Sequence, residues 1–214
     1  MTTLTSEEEQ KLKKRLKNEF SNYKEIAGGK NYRYTHLKTV HKMVKKINQN
    51  IDAKTNSQVL EIAALYHDIG RIHDIEDGVM DPFEGHKGHD ERGAETVEKY
   101  IKDIVSQKEL KQIQKVILNH HSEPETTEGK IVQDADKLSN FGVSNLWRQI
   151  HYASQHELEI SESIEYFWNS AVDEYERQIN NMYFEFSQNI AKDRLERHKE
   201  TVKNIENELN AEDF

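Results

Sequence analysis

The chain has no cysteine, and its 214 residues include only two prolines and nine glycines. Without cysteine it can form neither a disulfide framework nor a thiolate metal site. Proline and glycine are common turn-forming residues, so their small number argues against a fold with many tight β-hairpin turns. No apolar run approaches the roughly 18 residues that span a bilayer, and residues 1–20 lack the apolar stretch of a signal peptide. We therefore expect a cytoplasmic protein with no membrane partner.

The charge balance argues against one further class of protein, the general nucleic-acid binders. The formal net charge is −9 and the pI is near 5.7, which argues against a general nucleic-acid binder, because phosphate backbones are held mainly by lysine and arginine. The length is sufficient to bury a substantial core in one domain, and two domains are also compatible with it.

Apolar residues recur at helical spacing along most of the chain. Thr5 or Ser6, followed by glutamates, predicts a capping box for a first helix that runs to about Ile26. Residues 59–65 are apolar on nearly all sides, which predicts a central, buried helix that ends at a His-Asp-Ile-Gly sequence with Gly70 as its C-cap. Residues 71–85 are polar and contain glycine, and we expect a loop there.

Side chains that can bind metals follow one another in a definite order. Eight of the eleven histidines fall between residues 36 and 121, each in or beside a segment with helical spacing. Imidazole nitrogens and carboxylate oxygens are ligands for divalent metals such as zinc, iron and manganese, so the pattern predicts a metal site. The candidates are His36, His67, Asp68, His86, His89, His120, His121, Asp134 and Asp136.

The run AALYHDIGR at 63–71, with His36 before it and DADKL at 134–138 after it, resembles the HD-domain superfamily of metal-dependent phosphohydrolases, in particular small bacterial HD hydrolases. This resemblance implies an all-α HD-domain helical bundle, here with a C-terminal helical extension. It also implies a divalent metal held by His36, His67, Asp68 and one aspartate of the last motif. The Ala-Asp-Lys-Leu context favours Asp136 over Asp134, and their separation of two residues on a helix makes it difficult for both to face one metal.

Two further runs, HDERGAE at 89–95 and ILNHHSEP at 117–124, resemble a branch of the superfamily that binds two or more metals. The resemblance implies that His89, His120 and His121 hold a second metal or bind phosphate, with Asp68 as a bridge. His86 stays open as an alternative to His89. The Gly-Tyr-Pro signature of that branch is absent, which disfavours cyclic dinucleotide cleavage and leaves the number of metals open.

The implied function is hydrolysis of a phosphate ester or anhydride, in a nucleotide or similar small phosphorylated metabolite, by metal-activated water. Asp68 and Arg71 are the candidate catalytic residues, and Arg71 and Lys87 the candidate phosphate contacts. The arginine that the family usually has three residues after its first histidine is Thr39 here. The ligand set suits one or two ions of manganese, iron, magnesium, cobalt, nickel or zinc.

Two other functions stay open on the same residues. One is a di-iron enzyme that activates oxygen, and the other is a non-enzymatic regulator with a structural metal site. We expect residues 1–145 to form the helical core with the N-terminal helix, and residues 146–214 to form a helical extension packed within the same domain. The charged helices of the extension are compatible with a homodimer.

Overall fold

The computed structural model describes residues 3–22, 31–76 and 88–213, and the regular elements within these ranges are all helices. The predicted all-α fold is therefore confirmed. The helices form two compact units, residues 1–136 and 137–214, which are described separately below. The division predicted at residue 145 concerns domains, and it stays a prediction.

The first helix, α1 (Ser6–Ser21), begins with the predicted capping box. The Thr5 hydroxyl accepts a hydrogen bond from the Glu8 amide at 3.2 Å, and the Glu8 carboxylate accepts one from the Thr5 amide at 2.9 Å. This satisfies amide groups that have no partner within the helix. The helix ends at Ser21, with Asn22 as its C-cap, and the predicted end at Ile26 lies outside the described residues. Its apolar face is fully buried and consists of Leu12, Leu16 and Phe20.

Three helices form the centre of the first unit, α2 (Tyr32–Gln49), α3 (Ser57–Tyr66) and α7 (Gln107–Leu118). As predicted, α3 is buried on nearly all sides, and it packs against both α2 and α7. Asn56 caps it by accepting hydrogen bonds from the amides of Gln58 and Val59. Each fully buried aliphatic side chain contributes about 1.5–3 kcal/mol, so this helix anchors the unit and fixes the position of the turn that follows it.

After that turn the structure differs from the loop predicted at residues 71–85. Residues 71–76, expected as loop, form the short helix α4 (Arg71–Glu76), because Ile72 is buried and Arg71 pairs with Asp74 at 3.3 Å one turn away. Gly70 does not serve as a simple C-cap either. A Cβ atom there would lie 1.9 Å from the carbonyl oxygen of His89, so the turn packs directly on the next helix. The rest of the predicted loop lies outside the described residues.

The remaining helices of this unit are α5 (His89–Thr96), α6 (Glu98–Ile101) and most of α8 (Thr127–Ser139). Helix α5 packs against both α4 and α7. The unit therefore gathers four segments around the end of α3, namely the start of α2, the turn at 67–70, the start of α5 and the end of α7.

The second unit contains α9 (Val143–Gln155), α10 (Ile160–Tyr166), a π-helical turn (Phe167–Ala171), α11 (Val172–Asn180) and α12 (Glu185–Leu209). Two or three helices were predicted here, and turns at 156–159 and 181–184 divide the unit into three helical stretches. The additional elements arise because the π-helical turn interrupts the middle stretch, which runs from 160 to 180. Helix α12 packs against α9 and α11. None of the described helices is long and apolar enough to cross a membrane.

Candidate metal centre

The first donor cluster joins α2, the turn after α3, and α8. The Nε2 atom of His36 lies 3.2 Å from the Nε2 of His67, 3.6 Å from Oδ2 of Asp68 and 3.3 Å from Oδ1 of Asp136. The same Asp136 oxygen lies 3.6 Å from the Nε2 of His67. Asp134 is fully buried on the same helix. The carboxylate of Asp136 thus contacts both histidines of this cluster, and the choice of Asp136 as the ligand stays a prediction.

The second cluster joins α5 and the end of α7. The Nε2 atom of His89 lies 3.2 Å from that of His120 and 3.1 Å from that of His121. Oδ1 of Asp68 lies 3.5 Å from His89 and 3.8 Å from His120. His89 and His120 are buried, whereas His121 is exposed on the rim of the cluster. Three imidazoles and one carboxylate oxygen thus converge from separate segments.

Asp68 connects the two clusters, because its two oxygens face different ones. Oδ2 points to His36 and Oδ1 points to His89 and His120. Burial by itself favours the neutral acid, but the positive charges of Arg33 and His67 outweigh it and hold the pKa of Asp68 well below its usual range. Asp68 is therefore an ionised, bridging carboxylate at the centre of the site.

Backbone carbonyls set the proton position on two of the histidines. The Nδ1–H of His67 donates to the Ala64 carbonyl at 2.9 Å, and that of His120 donates to the Ile117 carbonyl. A carbonyl can only accept a hydrogen bond, so Nδ1 carries the proton and the neutral ring presents the lone pair of Nε2. In both rings Nε2 points into a cluster, which is the orientation that metal-binding histidines adopt.

The two clusters differ in their affinity for protons. Burial lowers the pKa of His67, but the neighbouring carboxylates of Asp68 and Asp136 more than compensate and raise it to about 8. Burial lowers the pKa of His89 to about 2, although the carboxylate of Asp68 opposes this effect. His89 is therefore neutral at pH 7, whereas His67 carries a proton that a cation would have to displace.

These donor separations fit a divalent cation. Metal–nitrogen and metal–oxygen bonds of about 2.0–2.2 Å in tetrahedral geometry place neighbouring donors roughly 3.4 Å apart. The contacts within each cluster range from 3.1 to 3.8 Å. Nitrogen lone pairs and carboxylate oxygens packed this closely in a buried site are costly without a positive charge among them.

Two arginines border the bridging carboxylate. Nη1 of Arg33, in the first turn of α2, donates to Oδ2 of Asp68 at 2.8 Å. Nε of Arg71 lies 3.7 Å from Oδ1 of Asp68, and its Nη1 donates to Asp74 at 3.3 Å. Arg33 was not among the predicted site residues. Its position three residues before His36, on the same helical face, is the feature of the sequence that could have identified it.

A third group of donors, Glu9, His41 and Glu61, lies between α1, α2 and α3. Here Lys45 supplies the positive charge, since its ammonium lies 3.3 Å from Glu9 and 3.1 Å from Glu61. His41 completes the group at 3.2 Å from Glu61. A cation would meet repulsion from Lys45, so we interpret this group as a structural ion-pair network.

The structure thus brings together seven of the predicted metal ligands, places the predicted Arg71 beside them, and adds Arg33. His86 and Lys87, the alternative ligand and the second phosphate contact, lie outside the described residues. Thr39, at the position where the family usually has an arginine, donates its hydroxyl hydrogen to the Thr35 carbonyl at 2.8 Å. The seven are His36, His67, Asp68, His89, His120, His121 and Asp136.

Comparison with known proteins agrees with this arrangement. The HD domain family matches residues 33–140, which cover half of the chain and include every ligand of both clusters. The chain belongs to the HD domain family. The family resemblance seen in the sequence is therefore confirmed, and membership supports a metal-dependent hydrolase whose His/Asp clusters could hold divalent metal.

Solved structures share the fold of this HD-domain protein over nearly its whole length. An HD-superfamily hydrolase from Bacillus thuringiensis is 20% identical, with a TM-score of 0.67, and the match covers 97% of this chain and 100% of that one. YpgQ from Bacillus subtilis, in complex with ADP, is 17% identical, with a TM-score of 0.65 and 93% of each chain covered. A predicted HD-superfamily hydrolase from an uncultured Thermotogales bacterium is 21% identical, with a TM-score of 0.63, and the match covers 94% of this chain and 92% of that one. At these identities the likeness establishes the fold. None of the curated proteins matches the chain.

Proposed function

We propose that this protein is a metal-dependent phosphohydrolase that cleaves a phosphate ester or anhydride of a nucleotide or a similar small phosphorylated metabolite. The observation that carries the proposal is the position of Asp68, whose two oxygens face two separate histidine clusters. A bridging carboxylate between two donor sets is the arrangement expected where two cations act on one phosphoryl group.

The residues of the chain have distinct parts in this proposal. His36, His67 and Asp136 would complete one ligand set with Asp68, and His89, His120 and His121 would complete the other. Divalent cations held there would supply an activated water at neutral pH and would neutralise charge on a phosphoryl oxygen. The Ala64 and Ile117 carbonyls orient the rings of His67 and His120 with Nε2 towards the site, so little reorientation of the rings is needed when the cations bind. His67 would release the proton on its Nε2 when a cation takes that position.

Two features support a phosphorylated substrate. Two guanidinium groups, Arg33 and Arg71, lie beside the bridging carboxylate, and guanidinium pairs well with phosphate oxygens. In addition, a solved protein of the same fold, YpgQ, is in complex with ADP. We extend this to a nucleotide as the substrate class of the present chain.

The proposal is tested by a hydrolysis screen of nucleotides and simple phosphate esters with added manganese, cobalt, nickel or magnesium. We expect turnover with at least one metal, and its loss in Asp68→Asn, because the amide cannot bridge two cations. His156→Gln is the matched control, since His156 is exposed in the second unit and should leave turnover unchanged.

Metal content, measured on the same samples, separates the alternatives. A fully loaded wild-type protein that hydrolyses no substrate would contradict the proposal. Retained iron with oxygen consumption would then indicate the di-iron oxygen-activating function. Metal that alters thermal stability without any turnover would indicate a structural site in a regulator.

A further inference from the structure

The two arginines beside Asp68 are held very differently. Only 5% of the Arg71 side chain is exposed, and its guanidinium contacts both Asp68 and Asp74. Asp74 in turn pairs with Arg92 of α5. Arg71 therefore belongs to a buried network that ties α4 to the helix carrying His89, and moving it would leave two carboxylates poorly compensated.

The side chain of Arg33 is more exposed than that of Arg71. Its side chain is 23% exposed, and its Nη1 bonds to Oδ2 of Asp68 at 2.8 Å. The residue lies in the first turn of α2, one turn before His36. A partly exposed guanidinium at the edge of a buried donor cluster can move without breaking the packing of a core.

The bond from Arg33 uses the oxygen that a cation in the first cluster would require. Oδ2 of Asp68 faces His36 at 3.6 Å, and it is the oxygen to which Arg33 donates. A divalent cation on that oxygen would weaken the hold of the carboxylate on Arg33 and repel its charge. Cation binding at the first cluster and the Arg33–Asp68 ion pair therefore oppose each other.

We propose that Arg33, rather than Arg71, is the phosphate-binding arginine of this site, and that it exchanges its ion pair with Asp68 for the substrate phosphate when the cation binds. The inference rests on the proposed phosphohydrolase function. In the metal-free protein Arg33 neutralises Asp68, and in the loaded protein it meets the anion that the cations attract. Arg71 keeps its place in the network and positions Asp68 and α5.

The test uses two probes on the full chain, Mn²⁺ alone and then inorganic phosphate added to the manganese-loaded protein, each followed by calorimetry. In Arg33→Met we expect Mn²⁺ to bind several-fold more tightly, because a competing positive charge is gone. Phosphate should bind about 10- to 100-fold more weakly, since one charge-assisted hydrogen-bonding partner is lost. Arg33→Lys should restore part of the phosphate affinity.

Arg177→Met is the matched control, because it removes an arginine whose side chain is 70% exposed in the second unit, and it should leave both affinities at the wild-type level. Arg71→Met is the comparison variant, and we expect it to lower the thermal midpoint of the metal-free protein and to weaken phosphate binding less than Arg33→Met does. Weaker binding of both manganese and phosphate in Arg33→Met would indicate a structural residue and overturn the inference. Loss of phosphate binding in Arg71→Met, with Arg33→Met unaffected, would also overturn it, as would a loaded wild-type protein that binds no phosphate.

These readouts do not depend on turnover. If the loaded wild-type protein binds phosphate through Arg33 but hydrolyses no substrate, the assignment of Arg33 stands and the proposed function fails. If Arg33→Met hydrolyses substrate with an unchanged KM and binds phosphate normally, the proposed function stands and the assignment fails.

Discussion

Gly70 is the residue at which the packing of the fold most directly affects the candidate metal centre. It follows the His67–Asp68 pair, and the site where its Cβ would stand is 1.9 Å from the His89 carbonyl oxygen and 2.7 Å from the Gly93 amide nitrogen. Both atoms belong to the backbone, so neither can rotate away. Cβ atoms essentially never come closer than 3.0 Å to such atoms. In Gly70→Ala the turn and α5 must therefore separate by roughly 1 Å.

Such a separation has two expected consequences. The first is a loss of stability of about 2–3 kcal/mol, the cost of overpacking a close backbone contact, which corresponds to a decrease of about 1 M in the urea midpoint of the metal-free protein. The second concerns His89, which would move away from Oδ1 of Asp68. Because ligands must be held to within about 0.5 Å, the second cluster should bind manganese much more weakly than in the wild type.

Gly93→Ala is the control from the same pair of segments. The nearest atoms to its added Cβ are Cγ2 of Ile117 at 3.2 Å and the Gly70 amide nitrogen at 3.3 Å, and small adjustments can accommodate these contacts. Alanine is also preferred over glycine within a helix by up to about 1 kcal/mol. We expect the midpoint of this variant to lie close to that of the wild type. If Gly70→Ala unfolds at the same urea concentration as Gly93→Ala, the close packing of the turn on α5 is refuted.

Two further predictions concern ionisable side chains away from the site, His198 and Lys45. Burial lowers the pKa of His198 to about 4 from 6.5, so between these values the unfolded chain binds a proton that the folded chain does not. Stability should therefore fall as the pH decreases through this range, by about 2 kcal/mol at pH 5. Urea titrations at pH 8 and pH 5 should show that His198→Phe lacks this part of the decrease. Equal decreases in the two proteins would contradict the prediction. Lys45→Met should lower the free energy of unfolding by about 1–2 kcal/mol, because Glu61 and Glu9 lose a shared partner. Lys115→Met, which removes one member of an exposed ion pair, should change the urea midpoint little. Equal effects of the two lysine substitutions would indicate that the Lys45 network does not stabilise the fold.

Much of the candidate site could be predicted because its ligands lie at the ends of strongly patterned helices. The apolar run before His67 identifies a buried helix, and polar groups at its end must have partners. The preference for Asp136 over Asp134 followed from the Ala-Asp-Lys-Leu context that the family resemblance implies, and helix rotation argued only against both aspartates facing one metal. The structure places Asp136 against His36 and His67, and its role as a metal ligand stays a prediction.

Other features depended on contacts between residues far apart in the chain. The loop predicted at 71–85 begins as helix α4, because Ile72 finds a buried position and Arg71 a partner in Asp74. Polar composition favoured a loop there, and tertiary packing overrode it. Arg33 was missed for a similar reason, since its contact with Asp68 spans 35 residues and depends on how α2 meets the end of α3.

The sequence alone determined the helical class, the buried central helix and the ordered set of metal-binding side chains, because these follow from local spacing and side-chain chemistry. Only the tertiary structure decided that the two oxygens of Asp68 face different clusters. It also decided that Lys45 supplies a positive charge to the third donor group, and that Arg33 rather than Arg71 is partly exposed beside the centre. The physical reason is that helix periodicity is encoded within a few residues, whereas the direction of a carboxylate and the exposure of an arginine depend on how separate helices pack.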